Sequence, residues 1–322
     1  MTRRELVLLL GGAMTVAGAV RAQQRAMPVI GFLNPTSPGP LAPYVAALRQ
    51  GLAETGYVEG QNVTIQYRWA EDHFDRLPAL AADLVAQKVD VIASTGDIAR
   101  AQAAKTATST IPIVFLIGGD PVGVGMVNSL ARPGGNLTGF TLLGGELVPK
   151  RLELLSELAP QTKVIALLLH PNSPATGGVQ EAARTKGLEL HVLRASTESE
   201  IDAAFASLVP LHAGALLVGG DPLFDTRADL LVALAARHAV PAIYPAREFV
   251  AAGGLISYGA SRTSGWHQEG TYVGKILSGA MPADLPVQQP TRYELVINVN
   301  TAKALGLMIP QTVLLRADEV IE

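Results

Sequence analysis

Six short polar segments hold most of the side chains in this sequence that could do chemistry. Asn34-Pro35-Thr36-Ser37, Ser94-Thr95-Gly96-Asp97 and Gly118-Gly119-Asp120 lie in the first half. His170-Pro171-Asn172-Ser173, Gly219-Gly220-Asp221 with Phe224, and Tyr244 to Glu248 lie in the second. Each follows a short aliphatic run that reads as a buried strand. In an open parallel sheet, ligands sit beyond the carboxyl ends of the strands, where helix N-termini turn their N–H groups inward. The segments supply hydroxyls, amides, carboxylates and single aromatic rings, a set suited to holding a small polar solute with an apolar body. The candidate contacts are Asn34, Ser37, Ser94, Thr95, Gly96, Asp120, Asn172, Asp221, Phe224, Tyr244 and Glu248. Ser94, Thr95 and Gly96 are expected to hold an anionic group through hydroxyl and backbone donors, and Asp221 a cationic one, with Asp120 as its competitor. The same residues also have structural readings: Ser94 and Thr95 as helix caps, Asp120-Pro121 and Asp221-Pro222 as helix starts, and Phe224 and Tyr244 as core.

Covalent and metal chemistry find little support. There is no Gly-x-Ser-x-Gly elbow and no cysteine, so the usual activated serine and any thiol nucleophile are missing. The six histidines, His73, His170, His191, His212, His238 and His267, are scattered without the spacing of a metal-binding helix. Gly123-Val-Gly125 lacks the third glycine of a dinucleotide fingerprint, and Gly270 to Lys275 is one residue short of a phosphate loop, so both read as turn and helix glycines. No cofactor and no metal are expected.

The elements that position these segments follow one rhythm: an aliphatic strand, a polar loop, then a segment of helical period, which is the pattern of a parallel sheet covered by helices. Strands are predicted at Val29 to Leu33, Val63 to Trp69, Val89 to Ser94 and Ile113 to Ile117, with helices between them. At Gly134-Gly135-Asn136 the rhythm breaks, and Leu137 to Thr141 reads as a strand leaving one lobe for another. A second cycle places strands at Val164 to Leu169, Leu190 to Leu193, Ala215 to Val218 and Pro241 to Tyr244. Leu255 to Tyr258 reads as the return crossing, with the helix from about Ser264 to Ser278 packing back on the first lobe. Tyr293 to Val299 is a further strand, followed by a short helix ending at Gly306, and it is assigned to neither lobe. The expected fold class is α/β, two Rossmann-like lobes with parallel sheets joined by a hinge that the chain crosses more than once. The expected boundaries are 23–138 for lobe 1, 139–257 for lobe 2, 258–285 for the return, and 286–322 for the tail.

Residues 1–22 combine Arg3 and Arg4, an uncharged run from Leu6 to Val20, and Val20-Arg21-Ala22 before Gln23, which are the parts of a cleavable export signal. Thr2-Arg3-Arg4-Glu5-Leu6 is similar to a twin-arginine motif, so a general secretory and a twin-arginine route are both open. The expected compartment is the periplasm. The 322-residue chain is long enough for two cores. Its 25 Lys plus Arg against 28 Asp plus Glu, a net charge of −3, offer no field for nucleic acid or anionic lipid. A monomer is expected.

The run Asp120-Pro121-Val-Gly-Val-Gly-Met-Val-Asn-Ser-Leu-Ala-Arg132-Pro133-Gly134-Gly135-Asn136-Leu-Thr138-Gly139 resembles the ABC-transporter substrate-binding proteins of the tryptophan/tyrosine type. Gly51-Leu-Ala-Glu-Thr-Gly56-Tyr57-Val-Glu-Gly60-Gln61-Asn62, Gly253-Gly254-Leu-Ile-Ser-Tyr258-Gly259 and Ala317-Asp318-Glu319-Val320-Ile-Glu322 agree with it. The resemblance implies a periplasmic binding protein fold without catalysis. Such a protein would capture an amino acid or an aromatic or carboxylate compound and deliver it to an ABC permease and ATPase. Ser264-Gly265-Trp266-His267 departs from the family pattern. Two other readings stand beside this one: an exported enzyme using Asp120, Asp221 or Glu248 on a small carboxylate or sugar, and a receptor that presents its ligand to a membrane sensor.

Overall fold

The computed structural model describes residues 27–96, 98–171, 173 and 177–322. The expected export signal, Asp97 and Asn172 lie outside the described residues.

The first lobe is a five-stranded parallel sheet, β1 (Val29–Asn34), β2 (Thr64–Trp69), β3 (Val91–Gly96), β4 (Ile113–Ile117) and β5 (Leu137–Thr141), in the order β2-β1-β3-β4-β5. Apart from the edge strand β2, its strands are buried on both faces, as parallel strands under helices are. Ile30, Phe32, Val91, Ala93 and Val114 face helices α1 (Ala42–Ala53) and α10 (Arg262–Leu277). Leu33, Ile92, Phe115 and Ile117 face α2 (Leu77–Ala86) and α3 (Ile98–Ala107).

The second lobe holds a seven-stranded sheet of β6 (Val164–Leu169), β7 (Glu189–Arg194), β8 (Ala215–Val218), β9 (Ala242–Tyr244), β10 (Ile256–Ala260), β11 (Tyr293–Asn298) and β12 (Glu319–Ile321), in the order β12-β11-β10-β9-β8-β6-β7. All its pairs are parallel except β10 with β11. One face carries α4 (Val148–Leu158) and α5 (Gly177–Thr185), and the other carries α6 (Glu198–Ser207), α8 (Ala228–Arg237) and α9 (Arg247–Ala251). The five-residue α7 (Pro222–Thr226) joins β8 to α8, and α11 (Val299–Ala304) and α12 (Gln311–Leu314) close the tail. The cap of α11 is Asn298, whose Oδ1 accepts from Thr301 N at 3.0 Å.

Sheet membership moves the expected boundaries. β5 pairs along its whole length with β4, so the chain leaves the first sheet after Thr141 and not at residue 138. β10 belongs to the second sheet through Ala260, so the return falls at Ser261 and not at 257. The segment around Val287 and Gln288 still bonds to Leu130 and Gly139 of the first lobe, and the chain then enters β11 in the second. The lobes are therefore joined by three crossings.

The helix expected at Ser264 to Ser278 begins two residues earlier, at Arg262, with Ser261 as its cap. It lies against α1 at backbone distance. A Cβ on Gly51 would overlap the His267 carbonyl, and one on Gly270 would overlap the Leu48 carbonyl. These glycines let the two helices approach as no larger residue allows.

Candidate functional site

The loops at the carboxyl ends of the strands face one another between the lobes. In the first lobe the loop after β3 is held from three sides. The Thr95 carbonyl accepts from Asn34 Nδ2 at 3.2 Å and from Arg100 Nη1 at 3.1 Å, and the Thr95 hydroxyl donates to Glu269 Oε2 at 2.7 Å. Asn34 is itself oriented by Thr36, whose N–H and hydroxyl both reach its Oδ1. Gly96 follows with φ of +134°, a left-handed backbone that suits glycine, and a Cβ there would strike the Arg100 guanidinium. Helix α3 starts two residues on, so its unpaired N–H groups belong to this loop.

The structure brings Asn34, Thr95 and Gly96 together and gives Thr95 a role other than the expected one. Its side chain is 1% exposed and turned into the lobe toward Glu269, so the donors left for a solute are backbone N–H groups. Ser94 is fully buried one residue earlier on the opposite face of β3, with no hydrogen-bond partner for its hydroxyl among the described residues. Ser37 is half-buried at the edge of the first loop. Asp120 is exposed and spends Oδ1 on the N–H of Val122 at 2.9 Å, closing its own turn.

In the second lobe Asp221 is 7% exposed; it caps α7 through Leu223 N at 2.9 Å and lies 3.9 Å from Nδ1 of His170. Phe224 and Tyr244 are fully enclosed in that lobe's core, Tyr244 stacked on Phe249 with ring centroids 4.9 Å apart. They correct the expectation of aromatic platforms at the strand ends, because a ring closed in on all sides offers no face to a solute. Glu248, half-buried in the first turn of α9, has no hydrogen-bond partner for Oε2 among the described residues.

Four charged residues at the site escaped the sequence: Asp225, Arg262, Arg151 and Glu269. Asp225 sits one helical turn beyond Asp221 and pairs with Arg262 at 2.5 Å. Burial pushes the Asp225 carboxyl up to about 7; Arg262 opposes this, and the negative charges of Asp221 and Glu248 add to it. Burial alone would lower Arg262, but Asp225, Tyr44 and Glu248 more than offset it, so the guanidinium stays charged. Tyr44 of α1 bonds to the same guanidinium, so Arg262 ties a first-lobe helix to the acidic wall of the second lobe.

Arg151, on α4, is 1% exposed with burial lowering it to about 9. Its Nε donates to the Tyr258 carbonyl at 2.7 Å and its Nη1 to the Gly144 carbonyl at 3.4 Å, one beside each of the first two crossings. Two of the missed residues did leave a signal, because Arg151 and Glu269 occupy apolar-stripe positions of their helices, between Val148 and Leu155 and between Trp266 and Val273.

The lobes also meet at the rim. Phe74 stacks on His170 with centroids 5.5 Å apart, and Arg227 reaches Asp72 at 3.4 Å while pairing with Glu198 at 2.5 Å. On the first-lobe side, the half-buried Trp69 ends β2 and packs on Phe32, and Trp266 stacks on Tyr44. Among the described residues no group of His, Cys, Asp and Glu could hold a metal ion, and no helix is long and apolar enough to cross a membrane. A separate cavity of about 690 Å³, lined by Tyr57, Asp90, Asn136 and Met281 among others, opens at the opposite end of the first sheet, away from the strand-end loops.

A family model described as ABC transporter substrate binding protein matches residues 8–321. The tyrosine-binding protein of Clostridioides difficile is 29% identical over 262 residues, which span 80% of this chain and 75% of the relative. The solved ABC domain from Streptococcus pneumonia in complex with L-Trp is 26% identical, with a TM-score of 0.81 over 92% of this chain and all of that one. A conserved domain protein from Vibrio cholerae is 27% identical, with a TM-score of 0.82 over 91% of this chain and 99% of that one. Proteins of the matched family bind solutes outside the cytoplasm for a transporter and are not enzymes, which sets aside the catalytic reading of Asp120, Asp221 and Glu248. The two-lobed architecture, the inter-lobe loops and the match across nearly the whole sequence agree: the chain belongs to the ABC transporter substrate-binding protein family.

Proposed function

We propose that this protein captures an aromatic amino acid between its lobes and delivers it to the permease and ATPase of an ABC importer. The observation that carries the reading is the opposed chemistry of the two walls. On one side lie Gly96 and the N-terminus of α3, backbone donors for a carboxylate. On the other lie Asp221, Asp225 and Glu248, three acids near one another with Arg262 as the near cation. A zwitterion spanning the gap satisfies both walls and gains its closing energy from doing so. The aromatic side chain is supported by Trp69, Phe74 and Tyr44 along the first lobe, and by the tyrosine and tryptophan named for two relatives.

In this reading Asn34, Ser37, Ser94 and Thr95 shape the first wall. Phe224 and Tyr244 brace the second from behind, and Asp120 stays at the rim. The lobes move as units about the three crossings, with Arg151 fastening the first two from the second lobe. The protein works as a monomer in the periplasm, exported by a signal cut after Ala22. Calorimetric titration with L-Trp, L-Tyr, L-Leu and phenylacetate tests the proposal. Binding of the aromatic amino acids at one solute per chain is expected, with weak or no binding of the other two. Tighter binding of phenylacetate than of L-Trp would overturn the zwitterion reading.

A further inference from the structure

Glu269 is an ionisable residue placed where a core residue belongs. It is fully buried in the face of α10 that lies on the first sheet, among Trp266, Val273 and Ile276. Its only hydrogen-bond partner among the described residues is the Thr95 hydroxyl at 2.7 Å, and Oε1 has none. Among the described residues no cation pairs with it: the Arg100 guanidinium donates to the Thr95 carbonyl, not to the Glu269 carboxyl. β1, β4 and β5 contribute no ionisable residue. On α1, Tyr44 turns to Arg262, Arg49 to Glu59 and Tyr67, and Glu54 to His267. On α10 itself, Arg262 is held by Asp225, His267 by Glu54, and Lys275 lies over the Tyr272 ring. Such a site favours the neutral acid, and burial, opposed only by the Thr95 bond, pushes Glu269 up to about 8.

The placement has a second aspect. Arg262, Trp266 and Glu269 follow one another at i, i+4 and i+7, so one stripe of α10 carries the arginine at the acidic wall, the tryptophan stacked on Tyr44, and the carboxyl under the Thr95 loop. Glu269 touches the loop from behind, where a solute does not reach.

We propose that Glu269 is a positioning residue of the solute site, holding the Thr95 loop from inside the first lobe and coupling solute binding to its own protonation. This rests on the reading that the solute's carboxylate lies on that loop. The neutral acid can donate through Oε2 to the Thr95 oxygen, leaving Oε1 as a carbonyl oxygen that tolerates having no partner. A carboxylate arriving on the other side of the loop disfavours ionised Glu269 and raises its proton affinity further. Binding therefore takes up a proton in the range where Glu269 is ionised in the empty protein. The contribution of Glu269 to affinity is level below about pH 7 and falls above about pH 8.

Calorimetry with L-Trp at pH 7, 8 and 9, in buffers of different ionisation enthalpy, measures both affinity and protons. Glu269 is expected to contribute an uptake of about 0.4 proton at pH 8 and a loss of about fivefold in affinity between pH 7 and pH 9, read as the difference between wild type and Glu269→Gln, if its proton affinity rises by about one pH unit on binding. Glu269→Gln, which copies the neutral acid, is expected to bind within about twofold of wild type at pH 7, to lose that pH dependence and to take up no proton beyond the contribution of L-Trp itself. The wild-type proton count at pH 8 needs no variant, because free L-Trp keeps its ammonium there. No proton uptake, or the same pH slope in wild type and Glu269→Gln, overturns the proposal while leaving aromatic amino acid binding intact. Failure of wild type to bind L-Trp or L-Tyr at any pH overturns the ligand reading beneath it.

Discussion

Replacing Asp225 by Asn tests the acidic wall most sharply, because the carboxylate is joined to Arg262 and stands at the centre of the three acids. The side chains of the pair are 10% and 18% exposed, so neither is screened as a surface ion would be. Removing one partner of a buried charged contact weakens binding by about 2 to 5 kcal/mol, which is about thirtyfold at the lower end. The wild-type baseline itself depends on pH. With its carboxyl at about 7, Asp225 is half protonated in the empty cleft near neutrality, and an ammonium that prefers the ionised form must expel that proton. The sign follows: binding releases a proton below about pH 7, so wild-type affinity falls as the pH drops through 7, by up to tenfold per unit. Asp225→Asn should be weak at every pH and flat across this range. Titration calorimetry with L-Trp at pH 5.5, 6.5 and 7.5 reads both effects. Wild-type affinity that rises on acidification, or an Asn variant that matches wild type at pH 7.5, would refute an ammonium at this wall.

Three further outcomes are expected. Gly270→Ala should lower the melting temperature by several degrees, because its methyl meets the Leu48 carbonyl and overpacking costs about 1 to 3 kcal/mol, whereas Gly145→Ala, with open space around it, should change little. Arg151→Gln loses the buried bond to the Tyr258 carbonyl and should destabilise the fold by about 1.5 to 3 kcal/mol, with small-angle scattering of the solute-free variant shifted toward a more open form. Asp72→Asn removes a rim contact already shared with Glu198, so affinity should change by less than about fivefold, since exposed pairs contribute about 0 to 1 kcal/mol.

The strands were legible because parallel strands buried on both faces leave unbroken aliphatic runs, as Ile113–Ile117 and Val164–Leu169 do. The helices were legible from apolar spacing, and Leu152, Leu155 and Leu158 form one such stripe. Much of the site was not legible. Asp225 is in a five-residue helix too short to show a period, and its partner Arg262 is thirty-seven residues away in sequence and adjacent only in space. Thr95 was found from its strand-end position, but a sequence cannot tell whether a hydroxyl faces the cleft or the core; that was decided by Glu269, 174 residues on. Phe224 and Tyr244 stand at strand ends as a platform would, and the second-lobe core absorbed both. The assignment of Tyr293–Asn298 to the second sheet rests on an antiparallel pairing with β10 that periodicity does not reveal.

The most direct test of an aromatic amino acid bridging the two walls is a calorimetric titration of L-Trp into the wild-type protein at pH 7.5, repeated with its α-N-acetyl derivative. One site per chain with a dissociation constant of about 10 μM or tighter is expected for L-Trp, and at least a hundredfold weaker binding once the acetyl group removes the ammonium charge. Equal affinity for the two, or no heat with either L-Trp or L-Tyr from folded protein, would contradict it.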